Sequence, residues 1–593
     1  MPSPELQPTP TKHPLSFRAA DFSTLTEALD YAAQGATGAN FYTGRGAIYC
    51  ALPYSELRLN AIAMARRLLG LGLEPGARVA LVAETNPEFL YFFYACQYAG
   101  LIPVALPASV KVGAHHAYVA QLQRLLEASD AAVAVASDGY LSFLQEASEG
   151  LALRMVDKPE AFQALPQSEQ ALPQVLPGDI SYIQYTSGST RFPRGVVIKH
   201  QTALANLQGI IGHGLMMNGD DRMMSWLPFY HDMGLVGFML VPMAAQVSID
   251  YLDTREFAMR PRQWLDMMTK SRASISFAPS FGYDLCARRV RPDDLANYDL
   301  SNWRVAGIGA EMIRPDTLEY FAELLEPCGF DRRAFLACYG MAECTLGVSF
   351  SPLWTGFTTH HIDSDHLSDH HRAVLIEQSD KPGRGRHFVN CGTPLPDYEI
   401  EIRDGDETVL DDWHSGVIYL RGPSVMSGYF NLPEESSHAL DEDGWLNTGD
   451  IGYLVDGVLT ITGRKKDLII IHGRNIWPQD LEHIAEAEPA VRSGDAVAFS
   501  VPDHEGEELC VLLVQCRETD SKKRNNLVRR LSALMRLEMS LDCYVELVPI
   551  HTLPKTSSGK LSRAKARLDF ISSHEADNLN TVAEEFLQRV ASA

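Results

Sequence analysis

The sequence predicts an α/β protein built on a mostly parallel sheet, with a smaller α+β unit at its C-terminal end. Two patterns carry that prediction. Short apolar strands alternate with amphipathic helices early in the chain, and the last ~125 residues change to a helix–strand–helix–strand order. The third observation is bulk. With 593 residues and 46% apolar side chains the chain can bury a large core, and its length alone suggests about three or four domains.

The elements follow in order. The start, MPSPELQPTPTKHP, is polar and Pro-rich without the apolar run of a signal peptide, so residues 1–17 are expected to be disordered. Apolar spacing predicts a helix over 54–71, closed by Gly72 and a Pro75-Gly76 turn. Strand 78–83, an aromatic-rich helix 88–99, strand 102–106, helix 117–128 and strand 131–136 continue the βαβ rhythm. The apolar stretch 236–249 carries Gly237, Pro242 and Gln246 and is too short to span a bilayer. Residues 355–386, rich in His, Asp, Gly and Thr, interrupt the rhythm as an insertion. After GRKKDLIIIHGRN at 463–475 the sequence reads as helix 478–486, strand 509–516, helix 522–537 and strand 544–548, with a last surface helix over 578–590. That segment is long enough to fold alone.

Charge narrows the function classes. Lys and Arg number 51 against 75 Asp and Glu, a net charge of -24, which argues against a nucleic-acid scaffold. Small anionic substrates stay open, because they answer to local fields. Ten scattered cysteines with no CxxC pair read as reduced thiols in a cytoplasmic protein.

Five short motifs could carry chemistry. The strand 180–185 runs into Thr186-Ser187-Gly188-Ser189-Thr190, with Arg194 four residues on. A hydroxyl-rich, Gly-containing loop after a strand turns several N–H and O–H groups toward one anion, though the Walker spacing is absent and a polar hairpin would look similar. In ACYGMAE, Tyr339 beside Gly340 can stack on a base and Glu343 can hold a divalent cation, or the pair can be ordinary core and surface. Asp450 in Asn447-Thr448-Gly449-Asp450 can accept two hydroxyls of a ribose, although turn aspartates are common. The last two motifs are Thr462–Asp467 and Leu553–Lys560, the latter placing Lys560 on a Ser/Gly loop. Each is weak alone; their fixed order is far more specific.

In that order they resemble the adenylate-forming superfamily of acyl-CoA synthetases, peptide-synthetase adenylation domains and luciferases, over residues 40–570. YTSGSTRFPRGVV with Arg191 where most of the superfamily has Gly, SWLPFYHDMGLVG, SFAPSFGYDLCARR and GRKKDLIIIHGRNIWPQDLE look most like its fatty acyl-AMP ligases. The resemblance implies the adenylate-forming fold, a large domain 18–465 of packed α/β subdomains and a small mobile domain 466–593. It also implies that an insertion near 355–386 restrains the small domain and goes with poor use of CoA.

The same resemblance implies roles. Thr186 to Thr190 and Arg194 would hold the β- and γ-phosphates of ATP, and Glu343 the Mg2+. Tyr339, with Gly340 and Met341, would meet the adenine, and Gly309-Ala310-Glu311 would line the nucleotide pocket. Asp450 would bind the ribose with Arg464 assisting, and Lys466 would be the hinge. Lys560 would contact the substrate carboxylate and α-phosphate, with His231 near that carboxylate. The implied reaction joins a fatty acid to AMP and then acylates the phosphopantetheine thiol of an acyl carrier protein acting in trans. A basic patch near Lys522, Lys523 and Arg524 is the expected place for that acidic partner. Two departures stand out: Arg194 replaces the usual Lys, and Val417 sits where the family commonly has Glu. A CoA ligase with the same first step, or a silent nucleotide- or acyl-binding scaffold, are the competing readings. The tract from His360 to His371, dense in His and Asp, reads as a solvated insertion or a divalent metal site.

Overall fold

A computed structural model of the chain describes residues 7–10, 15–108, 115–186, 193–378, 384–471, 474–492, 494–502, 508–539, 541–555 and 561–574. The α/β expectation holds as two sheets with parallel interiors. One has six strands in the order Met155–Asp157, Ala131–Val135, Arg78–Val82, Ile102–Leu106, Ile180–Tyr185 and Gly195–Lys199, only the last pairing antiparallel. The other has nine strands. Its six parallel inner members run from Phe335–Gly340 through Val305–Ile308, Ile275–Ala278, Arg222–Ser225 and Ser248–Leu252 to Gly38–Tyr42.

Parallel sheets need both faces covered. Helices Tyr54–Leu69 and Pro87–Ala99 share one continuous apolar core with a face of each sheet, and His115–Ala128 and Leu141–Ala147 cover the other face of the six-stranded sheet. Helix Pro87–Ala99 shows why its sequence is aromatic throughout. It opens on an Asn86 cap that accepts from Phe89 N, closes on left-handed Gly100, and buries eleven side chains between the sheets. Each buried Phe there contributes about 1.5–3 kcal/mol.

A third, antiparallel sheet (Glu399–Arg403, Gly416–Arg421, Leu446–Val455, Val458–Arg464) leads into the C-terminal domain. That domain has its own cores on the two faces of the sheet Ala496–Pro502, Glu508–Gln515 and Tyr544–Val548, covered by helices Pro478–Glu486, Ser521–Met539 and Arg563–Ser573. The strand Ala496–Pro502 had no counterpart in the sequence reading, and the proposed helix 578–590 lies outside the described residues. The stretch 236–249 is a buried helical turn and strand, and no helix among the described residues is long and apolar enough to cross a membrane.

The expected disorder of residues 1–17 needs correction at Thr9. This residue is buried, its N–H donates to Asn40 Oδ1, and its carbonyl accepts from Arg222 Nη1. The reason is a buried charge: Arg222 forms two hydrogen bonds to Asp250 at 2.6 and 2.7 Å, and a guanidinium out of water needs its remaining donors satisfied.

Residues 355–386 form an ordered excursion, a hairpin of Thr359–Asp363 and Gly385–Val389 with helix Ser364–His370. Its His and Asp side chains are engaged locally. His360 Nδ1 lies 3.0 Å from Tyr453 Oη, His361 stacks on His387, Asp363 caps the helix and Asp365 pairs with Arg384. Among the described residues the one group with metal-ligand proximity is elsewhere, at exposed His115, His116 and Glu146.

Buried His200 links stability to pH. Its Nδ1 accepts from Leu25 N, which requires the neutral ring, and burial lowers its pKa from 6.5 to about 4. The unfolded chain therefore binds the extra proton first, and stability present above pH 6.5 is lost as pH falls toward 4. The contribution is roughly 3 kcal/mol. Replacing His200 by Gln should flatten that part of the pH–stability curve in urea titrations; parallel curves for the two proteins would disprove the assignment.

Candidate active site

The loops after the parallel strands converge on one cleft of about 2450 Å3. Strand Ile180–Tyr185 delivers Thr186, Ile275–Ala278 delivers Ser280 and Phe281, Val305–Ile308 delivers Ala310 and Glu311, and Phe335–Gly340 delivers Met341 and Glu343. Open α/β sheets bind ligands at the carboxyl ends of their strands for this reason. Residues Arg464 to Asp467 and the C-terminal helix Pro478–Glu486 close the opposite wall.

At the polar end, Thr186 N donates to Arg194 O at 3.0 Å, closing the base of the hydroxyl-rich loop. Ser187, Gly188, Ser189 and Thr190, like Arg191, lie outside the described residues. The Arg194 guanidinium rests over the Tyr429 ring, 5.1 Å from its centroid. Glu343 accepts from the Tyr429 hydroxyl at 2.9 Å, and burial, then the nearby charge of Asp232, raise its pKa. Glu343, Asp232 and Thr186 all line the cleft, and oxygen donors of this kind are the ones Mg2+ takes. His231 Nδ1 sits 2.7 Å from Asp232 Oδ1, which orients the ring in the cleft.

Asp450 is the best-gripped side chain. Its Oδ2 accepts from the Tyr339 hydroxyl at 2.7 Å and its Oδ1 lies 3.0 Å from Arg464 Nε, its cross-strand partner. Burial and this carboxylate together push the Tyr339 phenol well above its ordinary pKa. Gly449 precedes Asp450 at φ +69°, a backbone that side chains adopt only under strain, and Gly340 follows Tyr339 where a Cβ would stand 1.9 Å from Leu346 O, which excludes a side chain. Ala310 carries a left-handed φ of 69° without that freedom, a local strain at the wall beside Gly309 and Glu311. Glu311 itself is turned to accept from Phe281 N at 3.0 Å.

Part of the cleft wall is apolar, with Ile210, Leu215, Met223, Phe238, Phe277 and Phe350 among its lining residues. Both ends of the loop that carries Lys560 line the cleft, since Lys555 bridges to Leu561; Lys560 itself is outside the described residues. Lys466, the expected hinge, sits in a 3-10 turn, and burial lowers its pKa.

Sequence reasoning missed three features. Tyr429 is one. Another is Arg563, which binds Glu482 through Nε and Nη2 at 2.8 and 2.6 Å and Asp467 through Nη1 at 3.1 Å. The third is the set of pairs across the domain boundary: Arg314 with Glu486 at 2.7 Å and Arg386, from the insertion, with Asp480. Of the anticipated basic patch, Arg524 is spent on the carbonyls of Glu518 and Leu547, and Lys523 pairs with Glu518.

The AMP-binding enzyme family model matches residues 30–430. The chain is 45% identical, over 97% of its length and all of the relative, to a Caulobacter vibrioides protein whose name assigns it provisionally to the acyl-CoA synthetases. It is 32% identical to JamA of Moorena producens, a medium-chain-fatty-acid–[acyl-carrier-protein] ligase, over 93% of this chain and 95% of that one. A solved structure from structural and functional studies of fatty acyl-adenylate ligases from E. coli and L. pneumophila superposes with a TM-score of 0.90. Its identity is 46%, covering 94% of this chain and 99% of that chain.

Arg563→Met should destabilise the C-terminal domain by roughly 3–5 kcal/mol, because it strands two carboxylates with little access to water. Hydrogen exchange in strands Ala496–Pro502 and Glu508–Gln515 reads this directly; unchanged protection would show the ion pairs to be incidental.

Proposed function

The chain belongs to the AMP-binding enzymes as an ATP-dependent, AMP-forming ligase of the fatty acyl-AMP ligase group, and from that premise we propose a two-step acyl transfer. A fatty acid is first joined to AMP with release of pyrophosphate, and the acyl group then passes to the phosphopantetheine thiol of an acyl carrier protein supplied in trans. The observation that carries this reading is that an apolar wall, the phosphate-binding candidates Thr186 and Arg194, and the metal-binding candidate Glu343 line one cleft.

In the first step a carboxylate oxygen attacks the α-phosphorus of ATP and the bond to the β-phosphate oxygen breaks. No protein nucleophile is required; the chain aligns two anions and offsets the charge developing between them. Thr186 and Arg194 take the β- and γ-phosphates, Asp450 the ribose hydroxyls with Arg464 beside it, and Tyr339 the adenine. His231, held by Asp232, stands near the reacting carboxylate, and Lys560 contacts that carboxylate and the α-phosphate. Mg2+ on Glu343 supplies charge neutralisation at the leaving phosphates when bound. The apolar wall holds the acyl chain and keeps water from the mixed anhydride.

In the second step the thiol sulfur attacks the acyl carbonyl and AMP leaves. Rotation of residues 466–593 about Lys466 withdraws Lys560 and opens a path for the thiol. The insertion 355–386 restrains this rotation: Arg386 grips Asp480, and Asn475 Nδ2 donates to Ser368 O. That restraint supports a carrier-protein thiol over free CoA. The unpaired state of all ten cysteines fits a reducing compartment, and we assign the reaction to the cytoplasm.

A second reading, acyl-CoA synthesis, draws on the name of the Caulobacter relative. Incubation with fatty acid and ATP, then CoA or a holo carrier protein, separates the two: acyl-AMP that passes only to the carrier is expected, and acyl-CoA formed at a comparable rate would exclude it. Lys560→Ala should lower fatty-acid-dependent pyrophosphate release by roughly 100- to 1,000-fold, the worth of one preorganised charge contact. Asp450→Ala should weaken ATP binding roughly tenfold to a hundredfold in calorimetry; wild-type affinity would remove Asp450 from the ribose site.

A further inference from the structure

Tyr429 lies outside every motif the sequence singled out, yet it touches both groups at the phosphate end of the cleft. Its hydroxyl donates to Glu343 Oε1 at 2.9 Å across 86 residues of chain, and its ring carries the Arg194 guanidinium. The residue is only 8% exposed and lines the cleft.

The backbone around it is fastened to the same two groups. Met426 N donates to Glu343 O at 2.8 Å, so the segment is tied to the peptide of the carboxylate. Val197 N donates to Gly428 O at 3.1 Å and Phe430 N to Gly195 O at 2.7 Å, so it is also tied to the strand that leaves Arg194. Tyr429 N donates to Ser436 Oγ at 2.8 Å, which closes the turn. Residues 426–430 thus form a short strap between the strand after the phosphate loop and the Glu343 turn.

We propose that Tyr429 is a positioning residue that sets the metal carboxylate and the phosphate cation together. The inference rests on the reading that Glu343 holds Mg2+. A carboxylate buried beside the charge of Asp232 has little bulk water to fix its rotation, and a hydroxyl on one oxygen does so. An arginine side chain is long and flexible, and an aromatic face under its guanidinium restricts it to a layer above the ring. One side chain therefore fixes the spacing between two charges that must meet the same polyphosphate.

The two contacts come apart in two variants. Tyr429→Phe removes the hydroxyl and keeps the ring; Tyr429→Leu removes both; Glu343→Gln removes the carboxylate charge. The primary readout is Mn2+ binding by electron paramagnetic resonance with a non-hydrolysable ATP analogue, beside calorimetry of that analogue without metal. Thermal melts of each variant check folding. The hydroxyl also meets the Arg194 side chain, so Tyr429→Phe should weaken Mn2+ binding roughly 10- to 100-fold while lowering metal-free nucleotide affinity less than Tyr429→Leu does. Its pyrophosphate release should recover when Mg2+ is raised. Tyr429→Leu should weaken metal-free nucleotide binding as well, because Arg194 loses its platform. Wild-type Mn2+ affinity in Tyr429→Phe, with that affinity lost in Glu343→Gln, overturns the role of the hydroxyl and leaves the metal assignment standing. Wild-type Mn2+ affinity in Glu343→Gln overturns both. Unchanged metal-free affinity in a folded Tyr429→Leu overturns the role of the ring.

Discussion

The carboxylate of Asp450 is where three parts of the fold meet. Tyr339 reaches it from the end of a parallel strand of the nine-stranded sheet, Asp450 itself belongs to the antiparallel sheet, and Arg464 ends the strand that leads into the C-terminal domain. A carboxylate 5% exposed must be paired, so both oxygens are committed before any ligand arrives. The Tyr339 wall of the cleft, the course of strand Val458–Arg464 and the start of the C-terminal domain are therefore referred to one side chain. Trp477 reinforces the same corner: its ring covers Gly463, where a Cβ would lie 2.3 Å from it.

Electrostatics explain how a chain of net charge -24 handles two anions. Among the described residues of the cleft wall, thirteen Lys and Arg side chains face twelve Asp and Glu, so the cleft is nearly neutral while the surplus of acid lies outside it. Low dielectric strengthens the few fixed cations, and the excess negative charge elsewhere is screened within about 8–10 Å at physiological salt.

The C-terminal domain is held by its acidic helix. Helix Pro478–Glu486 offers Asp480 to Arg386, Glu482 to Arg563 and Glu486 to Arg314. The first and third contacts cross the domain boundary and have to break in any rotation about Lys466. The second is internal, binds Asp467 as well, and would travel with the domain. Arg563 thus ties the turn at 465–467 to the segment that begins at Leu561, while Arg314 and Arg386 join the two domains. Arg314 also links the C-terminal domain to the Glu311 wall of the cleft, three residues away in the chain.

The sequence determined the parallel sheets, because alternating strands and helices of those lengths allow few other packings. It also located the loop at Thr186, the Tyr339–Glu343 turn, Asp450 and Arg464, because small or hydroxyl-bearing residues at strand ends are a local signal. It misread the start of the chain, where composition suggested disorder but the buried Arg222 needed the Thr9 carbonyl. It passed over the strand Ala496–Pro502 and the hairpin within 355–386. Only the tertiary structure decided that Tyr429 meets Glu343, that Arg563 joins Glu482 to Asp467, and that Arg314 reaches Glu486 over 172 residues. Such pairs leave no periodic trace. Their strength comes from burial and from hydrogen-bond directions that exist only once sheet pairing has brought distant strands to a common edge.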